Sequence, residues 1–194
     1  MLIYENIHSI RQLVEEAGVE NKGMTFIRYV EGDEIKDITF DEFAKSCRAV
    51  TAWVYEKSRQ VGHRLRVAMM SSNTPLYVHM LMGVICGGGV AIPMDPQMPM
   101  DTVCGCLNKA EADILIYEPG LNIDTNMLYS RCPGMFRVMN MAEGKYPNCT
   151  YIFDNYKDRD LQMEVSEKHC AAILFTSGTT GEEKGVMLSN GNLV

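Results

Sequence analysis

Short, almost wholly apolar runs alternate along this chain with stretches whose apolar residues recur at helical spacing. That alternation limits the possible folds more than any other feature. Leu65–Met70, Val90–Ile92, Ile114–Tyr117 and Ala171–Phe175 read as buried strands, and Phe136–Met139 and Thr150–Phe153 are further strand-like runs. Strands rich in Val, Ile and Leu carry no polar alternation because both of their faces are covered, as happens when strands run parallel and are joined by helical crossovers. The expected class is therefore α/β: an open, doubly wound, mostly parallel sheet with flanking helices. The stretch Glu118–Glu167 is weakly patterned and adds little.

The helical stretches carry their own start and stop signals. Glu5–Ala17 places Ile7, Ile10, Leu13, Val14 and Ala17 on one face, with Gly18 as a stop. Met24–Val30 and Glu34–Ile38 flank the turn Glu31-Gly32-Asp33 and predict a β-hairpin. Thr39–Gln60 is the strongest helix signal. Thr39 and Glu42 form a capping box, Phe40, Phe43, Ala44, Cys47, Val50, Trp53 and Val54 form the apolar stripe, and Gly62 ends it. Asn73 or Thr74 with Pro75 opens a helix that runs to about Cys86. Gly87-Gly88-Gly89 follows a helix rather than a strand, so it suits close packing better than a dinucleotide fingerprint. Another helix is expected from Met100 to Lys109.

Composition bears mainly on what the chain is not built for. The 194 residues carry a formal net charge of −7 and no basic run, which argues against a nucleic-acid partner. The longest apolar stretch, Val78–Met94, is interrupted by His79 and four glycines and is too short and mixed for a transmembrane segment. No secretory leader is legible at the start, so the expectation is a cytoplasmic protein. Seven cysteines at irregular spacing include no C-x-x-C pair and read as small buried residues, with no metal site assigned. The fifteen methionines read as core filler. The four histidines, His8, His63, His79 and His169, join no recognisable nucleophile motif.

One segment carries chemistry. Behind the apolar run Ala171–Phe175 come Thr176-Ser177-Gly178-Thr179-Thr180-Gly181-Glu182-Glu183-Lys184-Gly185, and then Val186–Leu188 as a second strand. Glycines let a backbone approach an anion closely, and successive N–H groups make a concave nest for phosphate oxygens. Hydroxyls add donors, and Lys184 adds a point positive charge. Such a loop suits a triphosphate or a pyrophosphate. It is not the common NTPase loop. Glu183 stands where that pattern needs glycine, and Gly185 follows Lys184 where it needs Ser or Thr.

Thr176–Val186, TSGTTGEEKGV, resembles the signature loop of the adenylate-forming superfamily, roughly T-S-G-[ST]-T-G-x-P-K-G-V. That superfamily includes acyl-CoA synthetases, peptide-synthetase adenylation domains and luciferases. Ile38–Phe43, Val67–Asn73 and Gly83–Pro96 resemble earlier segments of the same family, in the expected order. Two departures stand out. Glu183 occupies the usual proline position, which implies a less rigid loop. Asn190, within Ser189-Asn190-Gly191-Asn192, takes the place of a frequent histidine.

The resemblance implies activation of a small carboxylic acid by ATP with Mg²⁺, followed by transfer to a thiol of coenzyme A or of a carrier protein. The expected type is an acyl-CoA synthetase, a long-chain fatty acid CoA ligase. Amino-acid adenylation and a non-catalytic nucleotide-binding domain are the alternatives. It also implies that Thr176, Ser177, Gly178, Thr179, Thr180, Gly181 and Lys184 hold the β- and γ-phosphates, with Lys184 as the catalytic candidate. Residues 1–194 are expected to form the N-terminal subdomain of an AMP-binding domain, cut just after the phosphate-binding loop. Alone, they are expected to bind ATP weakly and not to catalyse adenylation.

Overall fold

The computed structural model describes residues 6–141, 148–177 and 183–194. A six-stranded sheet in the order β6-β5-β3-β4-β7-β8 forms its centre. The strands are β3 (Arg66–Met70), β4 (Val90–Met94), β5 (Ile114–Tyr117), β6 (Arg137–Asn140), β7 (Cys170–Ser177) and β8 (Glu183–Ser189). The first five run parallel, and β8 returns antiparallel along β7. A separate two-stranded hairpin, β1 (Thr25–Glu31) and β2 (Glu34–Thr39), lies near the start of the chain and turns at Gly32 with φ 62°.

Both faces of the sheet are covered, as the apolar runs required. Val67, Met69, Ile114 and Ile116 face one helical layer: α1 (Ile10–Glu20), α2 (Phe40–Val61), α3 (Pro75–Cys86) and α6 (Thr150–Tyr156). Ala68, Met70, Ile92 and Leu115 face the other: α4 (Met100–Lys109) and α5 (Thr125–Arg131). Alternate residues of one strand thus enter different cores, which is the period-two geometry of a strand doing double service. Six of the seven cysteines are buried as free thiols, and Met69, Met70 and Met80 are fully buried.

The helix ends follow the signals. Thr39 accepts from the Glu42 amide while the Glu42 carboxylate accepts from the Thr39 amide, and Gly62 caps α2 in the left-handed region at φ 80°. Thr74 caps α3, with Pro75 in its first turn. A Cβ on Gly87 would lie 2.7 Å from Val54, and one on Gly89 would lie 2.9 Å from the Leu65 carbonyl. The glycine run therefore seats α3 against α2 and the start of β3. Glu111 alone among described non-glycine residues has positive φ, 49°; it closes α4, and Arg66 pairs with its carboxylate and carbonyl.

Three expectations are corrected. Thr150–Phe153 is the start of helix α6, not a strand. Its β-branched and aromatic residues suggest a strand, but the Asn148 side chain caps the Tyr151 amide at 2.9 Å, and Ile152 and Tyr156, one turn apart, are both buried. Gly18 does not stop α1. It lies buried inside the helix, where a Cβ would come within 2.6 Å of the Ala44 Cβ, so it permits α1 and α2 to touch. The helix also begins later than Glu5: Ser9 caps the Gln12 amide, and α1 starts at Ile10.

Candidate functional site

The glycine- and hydroxyl-rich segment joins β7 to β8. Gly178, Thr179, Thr180 and Gly181 lie outside the described residues; its two limbs do not. β7 lies beside β4, with Ala91 opposite Ala172, so the incoming limb is hydrogen-bonded into the parallel sheet. It ends at the carboxyl edge of the strands, the edge at which open α/β sheets hold ligands. The outgoing limb is β8, the edge of the sheet among the described residues.

Register decides which side chains meet. Thr176 pairs with Lys184, Phe175 with Gly185, and Leu174 with Val186. Directly opposite residues of an antiparallel pair share a face. Thr176 and Lys184 therefore sit together on one face and are both exposed. The Thr176 hydroxyl also makes a long 3.5 Å hydrogen bond to the Lys184 carbonyl. Phe175 faces the other way, into the core beneath α4, and its ring covers Gly185. A Cβ there would lie 3.3 Å from Cε1 of that ring. The glycine after the lysine thus makes room for an aromatic anchor at the base of the hairpin.

Against that second face lies a cleft of about 380 Å³, lined by Asp101, Thr102, Gly105, Cys106, Lys109, Phe175 and Glu183. Lys109, at the end of α4, donates from Nζ to the Glu183 carbonyl at 2.7 Å. Burial and the nearby Glu183 carboxylate push the Cys106 thiol above its usual range, with Lys109 opposing. At the same carboxyl edge, Glu118 accepts from the Ser72 amide at 2.7 Å, the Ser72 hydroxyl at 2.6 Å and the Ser71 hydroxyl at 3.2 Å. Those bonds, the Ser72 hydroxyl first, hold its carboxyl below the usual range and pin the turn after β3 to the end of β5.

Of the sequence-predicted residues, Thr176 and Lys184 are brought together, and the backbone of Ser177 sits opposite Glu183. Sequence reasoning did not find Lys109 or Glu118. Glu118 offered a faint signal, being a carboxylate directly after a buried strand, whereas Lys109 reads only as a cation suited to a helix C-terminus. His169 precedes β7 and so stands at the opposite end of that strand from the loop. Its ring accepts from the Ser166 amide at 3.0 Å and contacts Arg64. Asn190 is buried. Its side chain accepts from the Ile10 amide at 3.3 Å, which ties α7 (Asn190–Leu193) to the first turn of α1.

Residues 14–194 match the family of AMP-binding enzymes. This chain belongs to the AMP-binding enzyme family. Over 133 residues it is 27% identical to the Dimodular nonribosomal peptide synthase of Bacillus subtilis, across 69% of this chain and 5% of that protein. In structure, this AMP-binding chain is similar to a long-chain-fatty-acid-CoA ligase from Archaeoglobus fulgidus (TM-score 0.76, 19% identity, 97% of this chain and 38% of that one). It is also similar to a fatty acyl-adenylate ligase from L. pneumophila, solved in complex with acyl adenylate and pyrophosphate (TM-score 0.70, 15% identity, 98% of this chain and 32% of that one). The AMP-binding chain thus spans a small part of the curated relative and about a third of the two solved chains. Among its described residues no helix is long and apolar enough to cross a membrane.

Proposed function

We propose that the protein containing this chain activates a carboxylic acid with ATP. The substrate carboxylate oxygen attacks the α-phosphorus, the bond to the bridging oxygen of the β-phosphate breaks, and pyrophosphate leaves an acyl adenylate behind. A thiol then attacks the acyl carbonyl and AMP departs, giving a thioester; coenzyme A is the proposed acceptor and a fatty acid the proposed acid. The observation that carries this reading is the hairpin register, which sets Thr176 and Lys184 on one exposed face at the carboxyl edge of the sheet in a chain of this family.

In this reading Thr176, Ser177, Gly178, Thr179, Thr180, Gly181 and Lys184 receive the β- and γ-phosphates. Hydroxyls and backbone N–H groups orient the leaving pyrophosphate for in-line departure, and Lys184 offsets the charge that builds on it. The hydroxyl and ammonium groups suit phosphate oxygens. Mg²⁺ would ride on those oxygens and spread the charge further, with no carboxylate of this chain assigned to it. Residues 1–194 are proposed to be the N-terminal subdomain of the AMP-binding domain.

A second reading is amino-acid adenylation with transfer to a carrier-protein thiol, and the sequence likeness to a peptide synthase favours it. ATP–pyrophosphate exchange on the full-length protein, with a panel of fatty, aryl and amino acids, separates the two. Stimulation by fatty or aryl acids supports the first and stimulation by amino acids the second. Lys184→Ala should lower exchange by about two orders of magnitude, the scale for removing one preorganised electrostatic group. No exchange across the panel, with ATP still bound, would point instead to a non-catalytic nucleotide-binding domain.

A further inference from the structure

We propose that Lys109 is a positioning residue for the phosphate-binding hairpin: it holds the outgoing limb in place so that Lys184 meets the phosphates. This rests on the reading of the loop given above. Among the described residues β8 is the last strand of its sheet, and a strand there turns half of its backbone groups away from its one partner. At the first residue of β8 the carbonyl of Glu183 is taken up by Lys109 Nζ at 2.7 Å, from the last turn of α4. That helix is itself fixed, because Val103, Cys104, Cys106 and Leu107 are buried against the sheet. A rigid element thus reaches across the cleft to hold the backbone one residue before Lys184.

The position of the contact matters as much as its existence. Glu183 is where the related loop pattern carries proline, whose ring fixes φ near −65° and narrows the conformations open to the chain. Glutamate leaves that freedom in place. The Lys109 bond removes it by other means, tying a carbonyl instead of locking a torsion. Lys109 has no part in touching phosphate in this proposal; its effect on the ligand passes through the backbone of Glu183 and Lys184.

The test uses the full-length protein, with Mg·ATP and Mg·pyrophosphate as probes in titration calorimetry, and amide hydrogen exchange of Lys184 and Gly185 without ligand. Lys109→Met should raise exchange at those amides severalfold and weaken both probes by about three- to tenfold, the range of one hydrogen bond. Lys109→Arg, which can reach the same carbonyl, should restore both readouts. Glu183→Pro should make Lys109→Met nearly silent in binding, since the torsion is then fixed without the tether. If the full-length wild-type protein binds pyrophosphate, Lys184→Ala does not, and Lys109→Met changes neither binding beyond twofold nor exchange, the tether is refuted while the loop reading stands. If the full-length wild-type protein binds neither probe above the level of Lys184→Ala, the loop reading falls and takes the proposal with it. Lys109 is exposed, so its replacement does not threaten folding.

Discussion

Strands β3 and β8 belong to one sheet and each carries a short apolar run of valine and methionine, yet they are held in opposite ways. In β3, Val67, Ala68, Met69 and Met70 are all buried, with helices on both sides and a parallel neighbour at each edge. In β8, Val186 is 46% and Met187 67% exposed, and among the described residues the strand has β7 as its single neighbour. Their apolar runs look alike in sequence, but the first is a core and the second an edge. The comparison suggests that the chemistry sits where the sheet stops being over-determined: β7 carries the rigidity of β3 and β4 outward, and β8 gives it up.

The largest effect expected from breaking this contrast is in the central strands. Leu115→Ala removes a fully buried side chain between α4 and the sheet and should cost about 2–5 kcal/mol in urea unfolding. Acid should act next. His79 on α3 is buried between Phe43 and Phe153, at 4.9 and 6.1 Å, and burial drives its imidazole down to about 4. The unfolded chain takes up that proton below its ordinary value of 6.5, whereas the folded chain refuses it until about 4. The stability due to neutral His79 is therefore present above that upper value and is lost as pH falls through the window, by about 3 kcal/mol at most. His79→Phe should flatten the acid limb of stability measured from pH 7 to pH 4.

Smaller again is Gly83→Ala. The new Cβ would lie 2.5 Å from the Val50 Cβ, closer than side chains approach, and about 1–3 kcal/mol should be lost as α2 and α3 part. The smallest effect sharpens the contrast from the other side. Met187→Lys on β8 should change unfolding by no more than about 0.5 kcal/mol, although the residue is as apolar as those of β3. A loss above 2 kcal/mol there would mean that β8 is covered in solution.

Much of the fold was legible because its signals are local and mutually consistent. The capping box at Thr39 and Glu42, the left-handed Gly62 and the two-faced apolar runs each state a geometry that the structure adopts. Errors arose where a distant partner overrode a local preference. Gly18 reads as a helix stop until Ala44 of another helix is brought against it, and Thr150–Phe153 reads as a strand until Ile152 and Tyr156 find a core on one helical face. The site divides the same way. The hydroxyls, glycines and lysine of the loop are adjacent in sequence and announce themselves. Lys109 lies 74 positions from Glu183, and no local pattern could pair them.

The register of the hairpin has one more consequence. Thr176 and Lys184 share a face because they are directly opposed across the ladder, and only while that pairing holds. A slip of one residue between β7 and β8 would turn every side chain of β8 over at once. Lys184 would then point toward α4, and Gly185 would no longer lie under the Phe175 ring. Substitutions between the two limbs alter which donors are offered; an insertion or deletion that shifts the pairing alters the side from which they are offered. For this segment, therefore, register is a harder constraint than identity.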